Sequence, residues 1–177
     1  MSSPVHDLLN AQIGHEFAAS QQYVAIAAWY DQQALPQLAA HFYAQAVEER
    51  NHAMMIVQYL MDRDAAVVIP GVPEVRNDFS DVTEPIELAL AQERQVTSQF
   101  ETMTALARDE HDFLGEQFMH WFLKEQVEEV ASMSTLLQVA RRVGDNVLLL
   151  EDYLAREAAA GGAAPDPTAP AVAGGAL

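Results

Sequence analysis

The stretch AVEERNHAMM, Ala46 to Met55, places a carboxylate inside the apolar face of a predicted helix. Apolar residues recur around it at the three- and four-residue spacing of an amphipathic helix. The series runs Leu35, Ala39, Phe42, Ala46, Ala53, Ile56, Leu60. Glu49 fills the gap in this series, and His52 follows one turn later on the same face. Burying an isolated charge costs several kcal/mol, so the pattern predicts a positively charged partner.

Composition limits the classes of protein to which the chain can belong. Half of the 177 residues are hydrophobic, enough for one domain with a substantial core. The absence of cysteine excludes disulfides, thiolate metal sites and a cysteine nucleophile. A net charge of −17 argues against a nucleic-acid surface and favours metal cations or basic partners. Without a leader pattern or a long apolar run, we expect a cytoplasmic protein that does not enter a membrane.

The apolar periodicity predicts four long helices and a short fifth one. Pro36 separates the first two helices, and Gly144 ends the fourth. Asp145 is the expected cap of the fifth helix, Asn146 to about Glu157. The expected spans of the first four are about 4–33, 36–64, 84–109 and from the turn at His111-Asp112 to Val143.

The connection from Ala65 to Thr83 decides the topology. Fully extended, its 19 residues reach roughly 60 Å at about 3.3 Å each, longer than helices of about 40 Å. The sequence therefore predicts an all-α four-helix bundle with a long crossover between helices 2 and 3. Residues 1–157 would form this domain. Residues 158–177, AAAGGAAPDPTAPAVAGGAL, are predicted to be a flexible tail, which could be a spacer, a pore cover or an address for a partner.

Every long helix interrupts its apolar face with a carboxylate at a similar height in the bundle. The interrupting residues are Glu16, Glu49, Glu93, Glu125 and Glu129. Basic residues adjacent to them in sequence point about 100° away on a helix and cannot pair with them. A bound metal is the economical partner, and an oxygen-rich shell with one histidine suits iron or manganese. One carboxylate from each of the four helices is enough for two ions, with Glu49 able to bridge them.

These motifs resemble those of non-haem bacterial ferritins, especially the actinobacterial ferritins of the mycobacterial type. The resemblance spans about residues 5–157 and is carried by HEFAASQQYVA, QAVEERNHA, QER and FLKEQVEEV. It implies the ferritin-like fold, iron storage and oxidation of Fe²⁺ by dioxygen or peroxide. It also implies a homo-oligomeric shell of 24 subunits with octahedral symmetry, with the short fifth helix lining the four-fold axes.

The resemblance also implies the ligands of two or three iron ions per subunit. The first site would use Glu16, Glu49 and His52. The second would use Glu49, Glu93 and Glu129. A third, weaker site maps onto Glu48, Glu125, Glu128 and Glu129, and the polar or aromatic neighbours of the centre map onto Gln126, Tyr23 and Trp121.

Some positions depart from related families. Haem-containing bacterioferritins have a methionine where this chain has Arg50 and a second Glu-x-x-His on the fourth helix, so no haem is expected. The acidic three-fold pore of the family is represented here only by Glu116, followed by Met119 and His120. Three alternatives stay open: a rubrerythrin-like di-iron peroxidase, a DNA-protecting mini-ferritin and a purely structural bundle. The first normally carries cysteines and the second a basic arm, and the chain has neither.

Overall fold

The computed structural model describes residues 3–160 and 166–177 and confirms the all-α prediction. Five helices follow one another, and no strand occurs in these two ranges. None of the helices there is long and apolar enough to cross a membrane. Their bounds are α1 Pro4–Gln32, α2 Pro36–Asp62, α3 Glu84–Asp109, α4 Phe113–Val143 and α5 Val147–Ala159.

Local sequence signals account for most of the helix ends. Proline stands in the first turn of α1, α2 and α3, where its missing N–H has no intrahelical partner to lose. The side chain of Asp112 caps α4 by accepting from Gly115 N at 3.1 Å. Gly144 ends α4 with φ of 55°, a conformation that glycine adopts without strain. The predicted cap of α5 was one residue early: Asn146, not Asp145, is its N-cap.

The crossover between α2 and α3 runs along α1, where polar side chains hold it in place. Asn10, Gln22 and Tyr30 lie at three heights of α1 and donate to carbonyl oxygens of the connection. The side-chain nitrogen of Asn10 lies 2.9 Å from the carbonyl oxygen of Ala66, and that of Gln22 lies 2.7 Å from the carbonyl oxygen of Arg76. The hydroxyl oxygen of Tyr30 lies 2.7 Å from the carbonyl oxygen of Val82. Because the connection traverses the bundle, α2 and α3 run parallel, as the sequence predicts.

The buried interior has two apolar clusters separated by a layer of polar side chains. Cluster 1 lies towards α5 and comprises Tyr23, Ile26, Ala27, Tyr30, Leu35, Leu38, Ala39, Phe42, Ala46, Ile86, Ala89, Leu90, Met133, Leu136, Leu137, Ala140 and Leu150. Cluster 2 lies towards the opposite end and comprises Val5, Leu9, Ile13, Ala53, Met55, Ile56, Val57, Leu60, Val96, Phe100, Met103, Ala107, Met119, Phe122 and Ala173. The polar layer comprises Glu16, Glu49, His52, Glu93, Gln126 and Glu129, all buried.

The described part of the predicted tail lies against the bundle. Asp166 accepts from Trp121 Nε1 at 3.2 Å and from Lys124 Nζ at 2.9 Å. Further along, Ala173 is buried and its N–H donates to the carbonyl of Met54 at 3.1 Å. The segment is held by these hydrogen bonds and by the packing of Val172 and Ala173 on cluster 2, and a prediction from composition does not count such contacts. Residues 161–165 of the predicted tail lie outside the described residues.

Candidate metal centre

Three predicted ligands meet in the middle of the bundle. Glu16 projects from α1, and Glu49 and His52 project from α2, three residues apart on one face. Each offers a donor atom, and these atoms all lie within 4.8 Å of one another. Oε2 of Glu49 lies 3.5 Å from Nδ1 of His52. All three side chains are buried, so bulk water does not compete with a metal ion for these donor atoms.

The carboxylates of this group lack the partners that buried oxygens normally have. When both groups are ionised, neither oxygen of Glu49 has a hydrogen-bond donor, and Oε2 of Glu16 has none either; only a proton shared between the two carboxyl groups would pair them. The other oxygen of Glu16 accepts from Gln12 Nε2 at 2.8 Å. No lysine or arginine in the described ranges forms an ion pair with either glutamate. Buried polar atoms are rarely left unpaired, so the open oxygens are available to a cation.

Burial and mutual repulsion raise the pKa values of these glutamates and so favour their protonated forms when no cation is bound. Burial raises the pKa of Glu16, and the charge of Glu49 raises it further. Burial likewise raises the pKa of Glu49, with Glu93 as the next cause. On α4, burial and the charges of Glu48 and Glu93 raise the pKa of Glu129 to about 8. A divalent cation removes this repulsion and would displace the protons.

Glu93 is held from both sides by neutral hydrogen-bond donors. Burial raises its pKa, while the hydroxyl of Tyr23 and the amide of Gln126 donate to its two oxygens. The distance from Gln126 Nε2 to Glu93 Oε2 is 3.3 Å. Thr97 in turn donates to Gln126 Oε1 at 2.9 Å, which turns the amide nitrogen of Gln126 towards Glu93. Sequence reasoning missed Thr97, because a threonine at a half-buried helix position carries no motif.

The other predicted ligands lie near this group without forming a second compact one. Glu93 and Glu129 are close enough to Glu49 to raise its pKa. Among the described residues, however, only Glu16, Glu49 and His52 meet within 4.8 Å. Of the predicted third site, Glu48 accepts from Gln45 at 2.8 Å and Glu128 is exposed. Glu125 forms an ion pair with its neighbour Lys124 at 3.9 Å, so the expectation that adjacent basic residues cannot pair is wrong at this position, where the long lysine side chain reaches back. The second and third sites therefore stay predictions.

Aromatic rings of α4 pack against the histidine. The ring centroids of Trp121 and Phe122 lie 5.8 Å and 5.6 Å from that of His52, both edge-on. Trp121 also donates to Asp166, so the tail contacts a residue next to the centre.

The predicted pore residue Glu116 lies farther away, at the start of α4. It pairs with Arg108, with 2.6 Å from Glu116 Oε1 to Arg108 Nη2. This pairing neutralises the one carboxylate that was predicted for a pore.

A four-helix bundle with carboxylates and a histidine projecting inward from facing helices defines the class of ferritin-like metal proteins. Comparison with known proteins agrees with this class. The Ferritin family model, described as a ferritin-like domain, matches residues 6–143. The chain belongs to the ferritin family.

Relatives and solved structures extend the match beyond the domain. The chain is 59% identical to ferritin BfrB of Mycolicibacterium smegmatis over 177 residues, covering 100% of this chain and 97% of the relative. It is 60% identical to the protein named bacterioferritin BfrB of Mycobacterium tuberculosis H37Rv, covering 97% and 94%. An open-pore ferritin from the archaeon Archaeoglobus fulgidus superposes with a TM-score of 0.84 at 27% identity, covering 87% and 96%. Membership of this family supports iron storage as the function.

Proposed function

We propose that the protein is a ferroxidase and an iron store. The observation that carries the proposal is the convergence of Glu16, Glu49 and His52 with unpaired, buried carboxylate oxygens between them. Iron is the substrate: two Fe²⁺ ions bind, and each gives one electron to dioxygen or peroxide. Carboxylate oxygens stabilise Fe³⁺ more than Fe²⁺, so this donor set favours oxidation.

The residues divide into two groups around a shared ligand. Glu16, Glu49 and His52 would bind one ion, and Glu49, Glu93 and Glu129 the other. Tyr23 and Gln126 would hold Glu93 in place through the bonds described above. Glu129 and the exposed or half-buried Glu48, Glu125 and Glu128 would form a weaker third site that receives the ferric product.

The shell and the type of ferritin are also part of the proposal. We expect a cytoplasmic homo-oligomer of 24 subunits, built from the domain formed by residues 1–157, with a mineral inside. A non-haem, actinobacterial type is supported by Arg50 and by relatives that include a bacterial non-haem ferritin of Staphylococcus saprophyticus at 38% identity. The name bacterioferritin of one relative applies to that relative.

Substitution of the ligands tests the proposal. In Glu49→Ala and His52→Ala variants, we expect the initial rate of Fe²⁺ oxidation, followed by absorbance, to fall by about 100-fold, because even residues that only support ligands contribute roughly 10–100-fold. Glu101→Ala is the matched control, since Glu101 is exposed on α3. Rapid oxidation in both ligand variants, at the rate of the control, would overturn the assignment of the centre.

A further inference from the structure

A groove between α1 and α3 leads from the surface towards the metal centre. It consists of two adjoining cavities of about 280 and 140 Å³ that share His15, Gln95 and Gln99 in their walls. His15, Gln95 and Ser98 are exposed, so the groove opens to solvent. At about 30 Å³ per water molecule, each cavity holds several molecules of that size.

The floor of the groove lies beside the metal ligands. Gln12 lines the larger cavity, is only 2% exposed, and donates to Glu16 Oε1 at 2.8 Å. Ala19 and Val96 line the smaller cavity, each one helical turn beyond a glutamate of the polar layer. The smaller cavity therefore lies between the turns of α1 and α3 that carry Glu16 and Glu93.

The groove lining is electrically neutral apart from one histidine. None of the described residues that line it is a carboxylate, a lysine or an arginine. Its buried polar atoms include Oε1 of Gln92 and Oε1 of Gln99, both without a hydrogen-bond partner. A divalent cation would lose hydration here without gaining charged ligands. A small neutral molecule loses little hydration free energy when it enters the groove.

The opposite side of the bundle has the contrary character. In a four-helix bundle, the side opposite the groove between α1 and α3 is formed by α2 and α4. These two helices carry Glu48, Glu125 and Glu128. These carboxylates suit a cation. The centre thus has a neutral approach on one side and an anionic approach on the other.

We propose that the groove between α1 and α3 admits the neutral oxidant, dioxygen or hydrogen peroxide, to the centre, with Gln12 at its inner end. The inference rests on the proposed ferroxidase function. Two Fe²⁺ ions each lose one electron. Dioxygen takes both electrons and two protons and becomes hydrogen peroxide. Hydrogen peroxide takes both electrons and two protons, its O–O bond breaks, and two water molecules form.

Filling the smaller cavity tests the inference. In Ala18→Phe, a ring occupies the space that Ala18 lines, and we expect oxidation of prebound Fe²⁺ by dissolved dioxygen in stopped flow to slow by roughly tenfold, or about 1.4 kcal/mol. Hydrogen peroxide should show the same slowing. Anaerobic binding of Co²⁺, followed by its visible absorption, should be unchanged. Ala105→Phe is the matched control, since Ala105 is exposed on α3 and outside the groove lining.

The outcomes separate the inference from the proposed function. If the unaltered protein does not oxidise Fe²⁺, the proposed function fails. If it does, and Ala18→Phe matches Ala105→Phe, the groove does not carry the oxidant. Slower Co²⁺ binding in Ala18→Phe would also overturn the inference, because the groove would then carry metal. Should Ala18→Phe not assemble, Ala11→Phe fills the larger cavity and is measured in the same way.

Discussion

In clusters 1 and 2 every side chain packs against apolar neighbours, whereas in the polar layer between them Glu49 is equally buried with neither oxygen paired. Apolar burial stabilises the fold by roughly 25 cal/mol per Å². Unpaired buried carboxylates oppose folding until a cation arrives. The difference indicates that the clusters hold the bundle together, and it is compatible with the metal-binding role that we propose for the polar layer. Substitutions in the two regions should therefore change stability in opposite directions.

The largest effect is expected in an apolar cluster. Leu60→Ala removes a fully buried side chain from cluster 2 and should lower the free energy of unfolding by about 2–5 kcal/mol, measured by urea denaturation. Met61→Ala is the matched control, because Met61 is 46% exposed on the same helix and should change stability by no more than about 0.5 kcal/mol. Equal effects in the two variants would contradict the assignment of cluster 2 as core.

The polar layer should respond with the opposite sign. Glu49→Gln keeps the shape of the side chain and removes a carboxyl group that, on folding at pH 8, must either take up a proton or stay charged beside Glu16 and Glu93. The metal-free protein should therefore gain about 1–3 kcal/mol. Calorimetry at pH 8 in the presence of a chelator measures this gain as a higher Tm. Added Co²⁺ should then stabilise the variant less than the unaltered protein. A loss of stability in the metal-free variant would show that Glu49 supports the fold.

Per pH unit, the pH dependence of stability is the smallest of the expected effects. The pKa of Glu129 is about 8 in the folded protein and 4.5 ordinarily, so between these values the folded state binds more protons than the unfolded state. The metal-free protein should therefore lose stability as pH rises from 5 to 8, by at most about 1.4 kcal/mol per pH unit for each proton. Bound metal displaces the protons and should reverse the trend.

Glu129→Gln provides the control for this titration. The variant lacks the raised carboxyl, so its Tm in chelator should fall less steeply between pH 5 and 8. The carboxyl groups of Asp81 and Glu84, whose pKa values are lowered by hydrogen bonds, titrate below this window and do not disturb it. A metal-free Tm that rises with pH would contradict the proton-holding role of the polar layer.

The fold could be predicted because its determinants are local in sequence. Apolar spacing, the prolines that begin helices and the length of the crossover are all visible without coordinates. The grouping of Glu49 with His52 could be predicted because the two residues share one helix face. Glu16 could be placed at the same height in the bundle only by counting residues from the turns between helices. The structure brings Glu16 close to Glu49 and His52.

Other features depend on contacts between distant segments and carry no pattern of their own. Thr97 orients Gln126 only because α3 and α4 meet at that height. The hydrogen bond from Gln12 to Glu16 spans a single helical turn. The cavity that Gln12 also lines is closed by residues of α3, so it cannot be predicted from the sequence of α1. Asp166 reaches Trp121 across 45 residues, and nothing in an alanine- and proline-rich tail indicates such a partner.

The central claim is that a pair of metal ions neutralises the polar layer. Anomalous X-ray scattering from crystals soaked anaerobically in Fe²⁺ tests it most directly. We expect two iron peaks inside each subunit, one contacting Glu16, Glu49 and His52 and one contacting Glu49, Glu93 and Glu129. Iron found only at surface carboxylates, with no peak in the polar layer, would contradict the account.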